Sequence, residues 1–99
     1  MKKVFKFKNR VTNEDYVIQA KDMDEAAKYL IEELTGEEFQ ELIDHYIARE
    51  LTEEEIDNGR VMMKDPDEEE LFEMTYREVM SDNWTSPELI STTDSALID

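Results

Sequence analysis

The stretch Val4-Phe5-Lys6-Phe7-Lys8 alternates apolar residues with lysines. Because successive side chains of a β-strand point to opposite faces, this period of two predicts a strand with both phenylalanines on one face. A second stretch, Asp15-Tyr16-Val17-Ile18-Gln19-Ala20, has the same period, and the polar residues between the two stretches include asparagines that favour turns. The sequence therefore predicts an N-terminal β-hairpin over residues 3–20. Its outer face would carry Lys6, Lys8, Val4, Val17 and Gln19.

Three segments after the hairpin begin like helices, with a capping residue followed three positions later by glutamate. The capping pairs are Asp22 with Glu25, Thr35 with Glu38, and Thr52 with Glu55. Apolar residues at helical spacing follow the first two pairs and predict buried faces. These residues are Met23, Ala27, Leu30, Ile31 and Leu34 in the first helix, and Phe39, Leu42, Ile43, Tyr46 and Ile47 in the second.

The third helix is expected to be short, because Asn58-Gly59 ends it and Leu51 and Ile56 flank its cap as a hydrophobic staple. Residues 61–63 fit either a short third strand or an extended linker. Asp65-Pro66-Asp67-Glu68 then combines a capping Asp, a Pro at the first helical position and acids in the first turn. It predicts a helix from 66 to about 83 whose inward residues are Phe72, Tyr76, Val79 and Met80.

From Trp84 onward serine and threonine predominate, which predicts a polar tail over 84–99. The expected fold is α+β, an N-terminal β-hairpin packed on three to four α-helices. It forms a single domain over 1–83, with a basic hairpin at 3–20 and an acidic helical body at 22–83. A chain of 99 residues can bury one core of this kind without much margin.

Charge is divided unevenly along the chain. The 11 Lys and Arg and 27 Asp and Glu give a net charge of −16. Residues 1–21 hold six cations and two acids, and the remaining residues hold five cations and 25 acids, so the two parts carry +4 and −20. The acidic excess is larger than the roughly 2–8 charges that solubility asks of a small domain, and it repels nucleic acid. We expect a basic protein partner and no direct nucleic-acid contact through the acidic body.

Residue content argues against catalysis and metal binding. The absence of cysteine excludes disulfides, thiolate chemistry and Cys-based zinc sites, and two glycines cannot form a Gly-rich phosphate loop. His45 is the only histidine and is expected on a polar helix face. Residues 65–69 begin like a calcium loop, but Glu70 and Tyr76 occupy the positions that require Gly and Glu. We expect a protein that is not an enzyme and needs no cofactor or metal.

The chain has no apolar run of the ~20 residues needed to span a bilayer, and lysines interrupt its apolar N-terminal residues. We therefore expect a cytoplasmic protein with no membrane contact.

The densest acids are the expected partner-binding surface. Six of the nine residues from 65 to 73 are acidic, which on a helix gives about one charge per ~2.3 Å. Duplex DNA carries about one per ~1.7 Å. Acids at 53–57 and 37–44 extend the pattern, and two apolar residues beside the acids could form an interface centre. The expected partner-binding residues are Asp65, Asp67, Glu68, Glu69, Glu70, Glu73, Glu53, Glu54, Glu55, Asp57, Leu71 and Met74.

In charge, size and hairpin-plus-helix composition, the chain resembles small acidic proteins of phages and mobile elements that mimic DNA, among them anti-restriction and some anti-CRISPR proteins. The resemblance is one of composition and includes no matched motif. It implies an inhibitor that occupies the nucleic-acid-binding surface of a host defence or transcription protein. One alternative is a charge-bipolar module that forms homo-oligomers or bridges partners through its basic hairpin and acidic helices. Another is a small nucleic-acid contact made through the hairpin alone, with Lys6 and Lys8 on it, while the acidic body limits non-specific binding.

Overall fold

The computed structural model describes residues 3–64, 71–80 and 87–93, and within them the protein is α+β. A four-stranded antiparallel sheet has the order β3-β1-β2-β6, and a two-stranded sheet pairs β4 with β5. The strands are β1 (Lys3–Asn9), β2 (Asp15–Ala20), β3 (Tyr46–Glu50), β4 (Arg60–Lys64), β5 (Leu71–Thr75) and β6 (Glu88–Thr92). The helices are α1 (Met23–Tyr29), α2 (Phe39–His45), α3 (Glu53–Asn58) and α4 (Tyr76–Val79), and the π-helical segment Leu30–Thr35 continues α1.

The N-terminal hairpin is present as predicted. Phe5 pairs with Ile18 and Phe7 with Tyr16 across β1 and β2. Asn9 organises the connection, because its side-chain oxygen accepts hydrogen bonds from the backbone N–H groups of Val11 and Thr12 at 2.8 and 3.1 Å. These two strands are the centre of the larger sheet, with β3 and β6 at its edges.

One face of the larger sheet packs against the helices that follow the hairpin. The two phenylalanines of β1 are almost fully buried there, together with Tyr16 and Ile18 of β2. Leu30 of the π-helical segment and Leu42 of α2 belong to the same core. This arrangement follows from the period-two pattern of the strands and the apolar face of α1.

The opposite face, expected to be the outer one, is half covered by a second core. Val4 is 0% and Val17 2% exposed, and both pack with Ile90 of β6. Leu51 and Ile56, the predicted staple of α3, complete this core. Among the described residues, this face is open around Lys6 and Lys8.

Two of the three predicted helix caps are confirmed. Asp22 accepts a hydrogen bond from the Glu25 N–H at 2.8 Å, and Thr52 and Glu55 form a reciprocal capping box. The third predicted pair, Thr35 with Glu38, does not cap a helix. The Thr35 hydroxyl donates to the Leu30 carbonyl, and α2 begins after Glu38 with no side-chain cap.

The third helix ends at Asn58, as predicted, and Gly59 follows in an ordinary extended conformation with φ −63°. Glycine is needed there for space. A Cβ atom at this position would lie 2.2 Å from the ring of Tyr76, the first residue of α4. The backbone N–H of Tyr76 donates to the Gly59 carbonyl at 3.0 Å, so α3 and α4 meet at this glycine.

The prediction of a continuous helix from 66 to about 83 is wrong for the described residues. Residues 71–75 form β5, which pairs with β4 from Arg60↔Thr75 to Lys64↔Leu71, and α4 spans only four residues. Thr75 and Glu78 form a capping box that starts a new helix, and the extended backbone this cap needs cannot lie inside a continuous helix. Residues 65–70, the predicted helix start, lie outside the described residues. The strand considered for 61–63 is present, in the smaller sheet.

The second predicted helix is also shorter than its apolar pattern. It ends at His45, and Tyr46 continues directly into β3, which pairs with β1 from Asn9↔Tyr46 to Phe5↔Glu50. Of its expected core residues, Leu42 and Tyr46 are buried, whereas Phe39, Ile43 and Ile47 are exposed.

The predicted polar tail contributes a strand in its described part. The backbone of β6 pairs with β2, and Asp15 fixes the end of this pairing through hydrogen bonds with Thr92 and Thr93. Ile90 enters the second core from this strand. Among the described residues, no helix is long and apolar enough to cross a membrane.

Candidate protein-binding surfaces

The acids predicted on α3 are largely engaged by arginines. Arg49 of β3 reaches Glu55 with a nitrogen–oxygen distance of 2.6 Å. The hydrogen bond from Arg49, followed by a backbone hydrogen bond from Thr52, lowers the pKa of Glu55 from 4.5 to about 2. This carboxylate is therefore already partnered within the chain.

Arg77 of α4 forms ion pairs with two further acids of α3. Its guanidinium forms ion pairs with both Glu53 and Asp57, the latter at 2.8 Å. Glu53 and Asp57 are four residues apart, so they lie one helical turn from each other and fit one forked guanidinium. The hydrogen bonds to both carboxylates raise the pKa of Arg77. Of the four acids predicted on α3, Glu54 alone makes no ion pair in the described part of the chain.

The other predicted residues are distributed over β5 or lie outside the described residues. Glu73 pairs with Arg60 at 3.0 Å. Leu71 is 66% exposed and Met74 is half-buried, and residues three apart in a strand point to opposite faces. The described residues therefore do not join these two side chains into one apolar centre. The predicted residues outside the described part are Asp65, Asp67, Glu68, Glu69 and Glu70.

A different group of acids has few ion-pair partners among the described residues. Residues 22–45, which we call the helical layer, contain nine acids and one cation, Lys28. The acids are Asp22, Asp24, Glu25, Glu32, Glu33, Glu37, Glu38, Glu41 and Asp44. In the described residues the only ion pair of this layer joins Glu25 to Lys21 at 3.9 Å. The helical layer is consequently the more available negative surface.

The helical layer contains a groove beside the start of β6. Its volume is about 410 Å³, and it is lined by Glu25, Lys28, Tyr29, Glu32, Glu33 and Pro87. Burial is the main cause that raises the pKa of Tyr29, against a hydrogen bond with the Leu89 backbone, and Glu33 and Glu88 raise it further. The groove thus combines three carboxylates and one lysine with a neutral phenol, and its excess of two negative charges favours a Lys or Arg side chain.

A cationic patch lies on the open part of the larger sheet. Lys6 and Lys8 of β1 and Ile47 and Arg49 of β3 line a cavity of about 170 Å³. Lys6 pairs in register with Arg49 and Lys8 with Ile47, so all four side chains share one face. The hairpin lysines were predicted on this face. Arg49 was missed, because the sequence pattern placed it at the end of a helix.

Exposed apolar residues begin on α2 and continue into β3. Phe39 is 60%, Ile43 58% and Ile47 57% exposed. The sequence pattern predicted them as core, because they recur every four residues along with buried Leu42 and Tyr46. The apolar residues of this segment occupy more of the helix circumference than one packing face can bury. That width is the feature of the sequence that could have indicated an exposed apolar surface.

Within the described residues no group of three or more His, Asp or Glu side chains is arranged to hold a metal ion. His45 is half-buried at the end of α2. No known family, curated protein or solved structure matches this chain.

Proposed function

We propose that this protein is a non-enzymatic acidic binding protein that occupies the cationic, nucleic-acid-binding surface of another protein. The observation that carries the proposal is the separation of charge in the folded chain. The helical layer contains nine acids and one lysine, whereas three of the four acids of α3 are paired with arginines. A basic partner therefore meets more carboxylates without ion-pair partners on the described helical layer than on α3.

The groove in the helical layer gives this surface a defined contact. A partner's Arg or Lys side chain that enters the groove would meet Glu25, Glu32 and Glu33, with the Tyr29 ring beside it. Ionised donors and acceptors form hydrogen bonds roughly twice as strong as neutral ones, and a cation over an aromatic face adds a further ~0.5–2 kcal/mol. Such residues normally contact phosphates in nucleic-acid-binding proteins, so their capture would block nucleic acid.

Net charge would also accelerate the encounter. A surface of this sign attracts a basic partner over about one Debye length, ~8 Å at physiological ionic strength. Steering of this kind raises association rates by about 10–1000-fold and falls steeply with salt. The inhibitor of a phage or mobile element, which competes with abundant DNA, would benefit from this property.

Competition measures the proposed function directly. Proteins captured on the immobilised chain at 150 mM NaCl would be purified, and each tested for release of a labelled DNA duplex by fluorescence anisotropy. We expect at least one captured protein to release the duplex as the acidic protein is added. Failure of every captured protein to release DNA or RNA would contradict the proposal.

A matched pair of variants locates the contact. Glu32→Gln with Glu33→Gln removes two charges from the groove, and Glu53→Gln with Glu54→Gln removes two from α3. We expect the first pair to weaken competition by about tenfold or more, equivalent to ~1.4 kcal/mol, and the second pair to change it less. Equal effects would mean that net charge alone, and not the groove, determines binding.

A further inference from the structure

The strand β3 directs half of its backbone groups away from the sheet. In an antiparallel pair, opposite residues alternate between pairs that exchange two backbone hydrogen bonds and pairs that exchange none. Just beyond one end of β3, the Leu51 N–H donates to the Val4 carbonyl at 2.8 Å. Just before the other end, the Arg10 N–H donates to the His45 carbonyl at 2.7 Å. Both pairs continue the register with β1, so the odd-numbered residues of β3 bond to β1 and the even-numbered residues face outward.

Most of these outward groups have no backbone partner among the described residues. The Tyr46 N–H donates to the Leu42 carbonyl at the end of α2, so its own carbonyl remains. No described strand pairs with the outer side of β3, which leaves the N–H and C=O groups of Ala48 and Glu50 available. The edge is open on the helical side too, because Ala48 is exposed although Phe7, opposite it on β1, is 1% exposed.

The two edges of the larger sheet differ in protection. Natural sheets blunt their edges with bulges, prolines or charged side chains, because an open edge accepts further strands. The edge strand β6 has a bulge, where its register with β2 shifts. In contrast, β3 keeps a regular register and contains no proline. Its two charged side chains are paired within the chain, the arginine with Glu55 and the glutamate with Lys3, so neither guards the edge.

From these observations we infer that two copies of the chain pair through β3, antiparallel, about a two-fold axis at Ala48. Each Ala48 N–H then donates to the Ala48 carbonyl of the other copy, and each Glu50 N–H to the other copy's Tyr46 carbonyl. This register uses every outward N–H of β3, because the Tyr46 N–H is already bonded to α2. On the opposite face Ile47, which is 57% exposed, packs against the aliphatic part of the other copy's Arg49. The edge is thus complementary to itself, and the two-fold axis closes the assembly as a dimer.

The net charge of the chain gives this contact a characteristic salt dependence. Residues paired across strands share a face, so the helical layers of both copies lie on one face of the joined sheet and Lys6 and Lys8 on the other. The two acidic layers repel each other, and salt screens this repulsion. The backbone hydrogen bonds at the axis carry no net charge. We therefore expect the dimer to become more stable as NaCl is raised, whereas an interface made of ion pairs would weaken.

Sedimentation equilibrium of the whole chain, together with amide hydrogen exchange, tests the inference. We expect a reversible monomer–dimer equilibrium with a dissociation constant of roughly 10–100 µM at 150 mM NaCl, and a lower one at 500 mM. Exchange at the Ala48 and Glu50 N–H groups should slow as the protein concentration rises, whereas exchange at Ile47 and Arg49, bonded to β1, should not. A monomer at every concentration up to about 1 mM would overturn the proposal, as would a dimer that leaves Ala48 and Glu50 unprotected.

Substitutions on the axis test the register. Ala48→Lys places two like charges opposite each other and should weaken the dimer about fivefold or more, although it reduces the net charge of each copy from −16 to −15. Ala48→Glu should weaken it as well. An equimolar mixture of the two variants should recover an affinity within about threefold of the native chain, because lysine then lies opposite glutamate. A mixture of folded variants that stays monomeric would contradict pairing at Ala48.

A matched control carries the same side chains away from this edge. Val11 lies in the connection between β1 and β2 and is 70% exposed. Val11→Lys and Val11→Glu should each dimerise like the native chain. Loss of the dimer in both would show that net charge, and not strand pairing, decides association, and would overturn the proposal. Circular dichroism verifies folding, and if an Ala48 variant does not fold, the hydrogen exchange of the native chain decides the question alone.

Discussion

Two regions of this protein have similar acid content and opposite electrostatic organisation. On α3 and β5, four of the five acids form ion pairs with arginines that come from three other places in the sequence, Arg49, Arg60 and Arg77. In the helical layer, nine acids have a single lysine among them. The comparison teaches that acid density along a sequence does not measure available negative charge. The position of the arginines after folding decides it.

The same two regions differ in how they use apolar residues. Ile56 of α3 is 4% exposed in the second core, whereas Ile43 of α2 is 58% exposed although its sequence pattern is that of a core residue. On α3, folding buries Ile56 and pairs three of the four acids with arginines. On α2, Phe39 and Ile43 stay exposed and the acids make no ion pair in the described residues, which is why we propose binding in that region.

Truncation of the two isoleucines should give the largest difference between the regions. Ile56→Ala is expected to lower the free energy of unfolding by about 2–5 kcal/mol, because it opens a cavity in the second core. Ile43→Ala should change it by less than ~0.5 kcal/mol, since a surface side chain has little packing to lose. Urea denaturation followed by circular dichroism measures both. A similar loss in the two variants would show that Ile43 belongs to a core.

Replacement of the two glycines gives a smaller contrast. Gly59→Ala places a Cβ against the Tyr76 ring and should cost about 1–3 kcal/mol, because α3 and α4 must separate. Gly36→Ala meets no atom within 4 Å, and its cost of about 1 kcal/mol comes from the left-handed backbone at φ 71°. The Tyr76→Ala background separates the two causes. In the Tyr76→Ala variant, the loss of stability caused by Gly59→Ala should largely disappear, whereas the loss caused by Gly36→Ala should persist.

The hairpin could be predicted from the sequence because its information is local. Phe5, Phe7, Tyr16 and Ile18 alternate with polar or smaller residues, and the strands they form are adjacent in sequence and in space. The caps at Asp22 and Thr52 were equally local, as each involves residues only three positions apart.

The remaining sheet could not be predicted in the same way. Residues 46–50 continue a helical pattern, and they form β3 because they pair with β1, about 40 residues earlier in the chain. β5 lies inside the predicted last helix, where pairing with β4 and the capping box at Thr75 prevail over helix propensity. That box, Thr75 with Glu78, was visible in the sequence and marks where the prediction could have been improved.

For the same reason, the sequence does not indicate which of the predicted acids have ion-pair partners in the folded chain. Ion pairs such as Arg77 with Glu53 join residues 24 positions apart, so only the fold brings them together. The exposed pair Phe39 and Ile43 was likewise indistinguishable from core, because exposure depends on how far the sheet extends beneath α2. Sequence supplied the charges and apolar groups, and long-range pairing selected those that stay accessible.

The pH dependence of stability should also distinguish the two acid regions, with the smallest expected change in the free energy of unfolding. In the folded protein Arg49 lowers the pKa of Glu55 to about 2 from its ordinary 4.5. The unfolded chain therefore binds this proton more readily, so the ion pair stabilises the fold above about pH 4.5 and its contribution is lost as the pH falls towards 2. Glu55→Gln retains an oxygen that can accept the Thr52 hydrogen bond but removes the charge, so the difference between native and variant isolates the pair.

Urea midpoints from pH 7 to pH 2 measure that difference. It should be constant at the upper end, decline below about pH 4.5 and be smallest near pH 2, with Arg49→Met removing most of it at every pH. Because Glu55 is solvent-exposed, the effect should also shrink when NaCl is raised to 1 M.

Glu32→Gln in the helical layer should change the free energy of unfolding in the opposite direction at pH 7. We expect a small gain in stability, since the substitution removes one charge from a group of like charges around the groove. A loss of stability in that variant would mean that the acids of the helical layer are paired in solution and would remove the contrast on which the proposed binding surface rests.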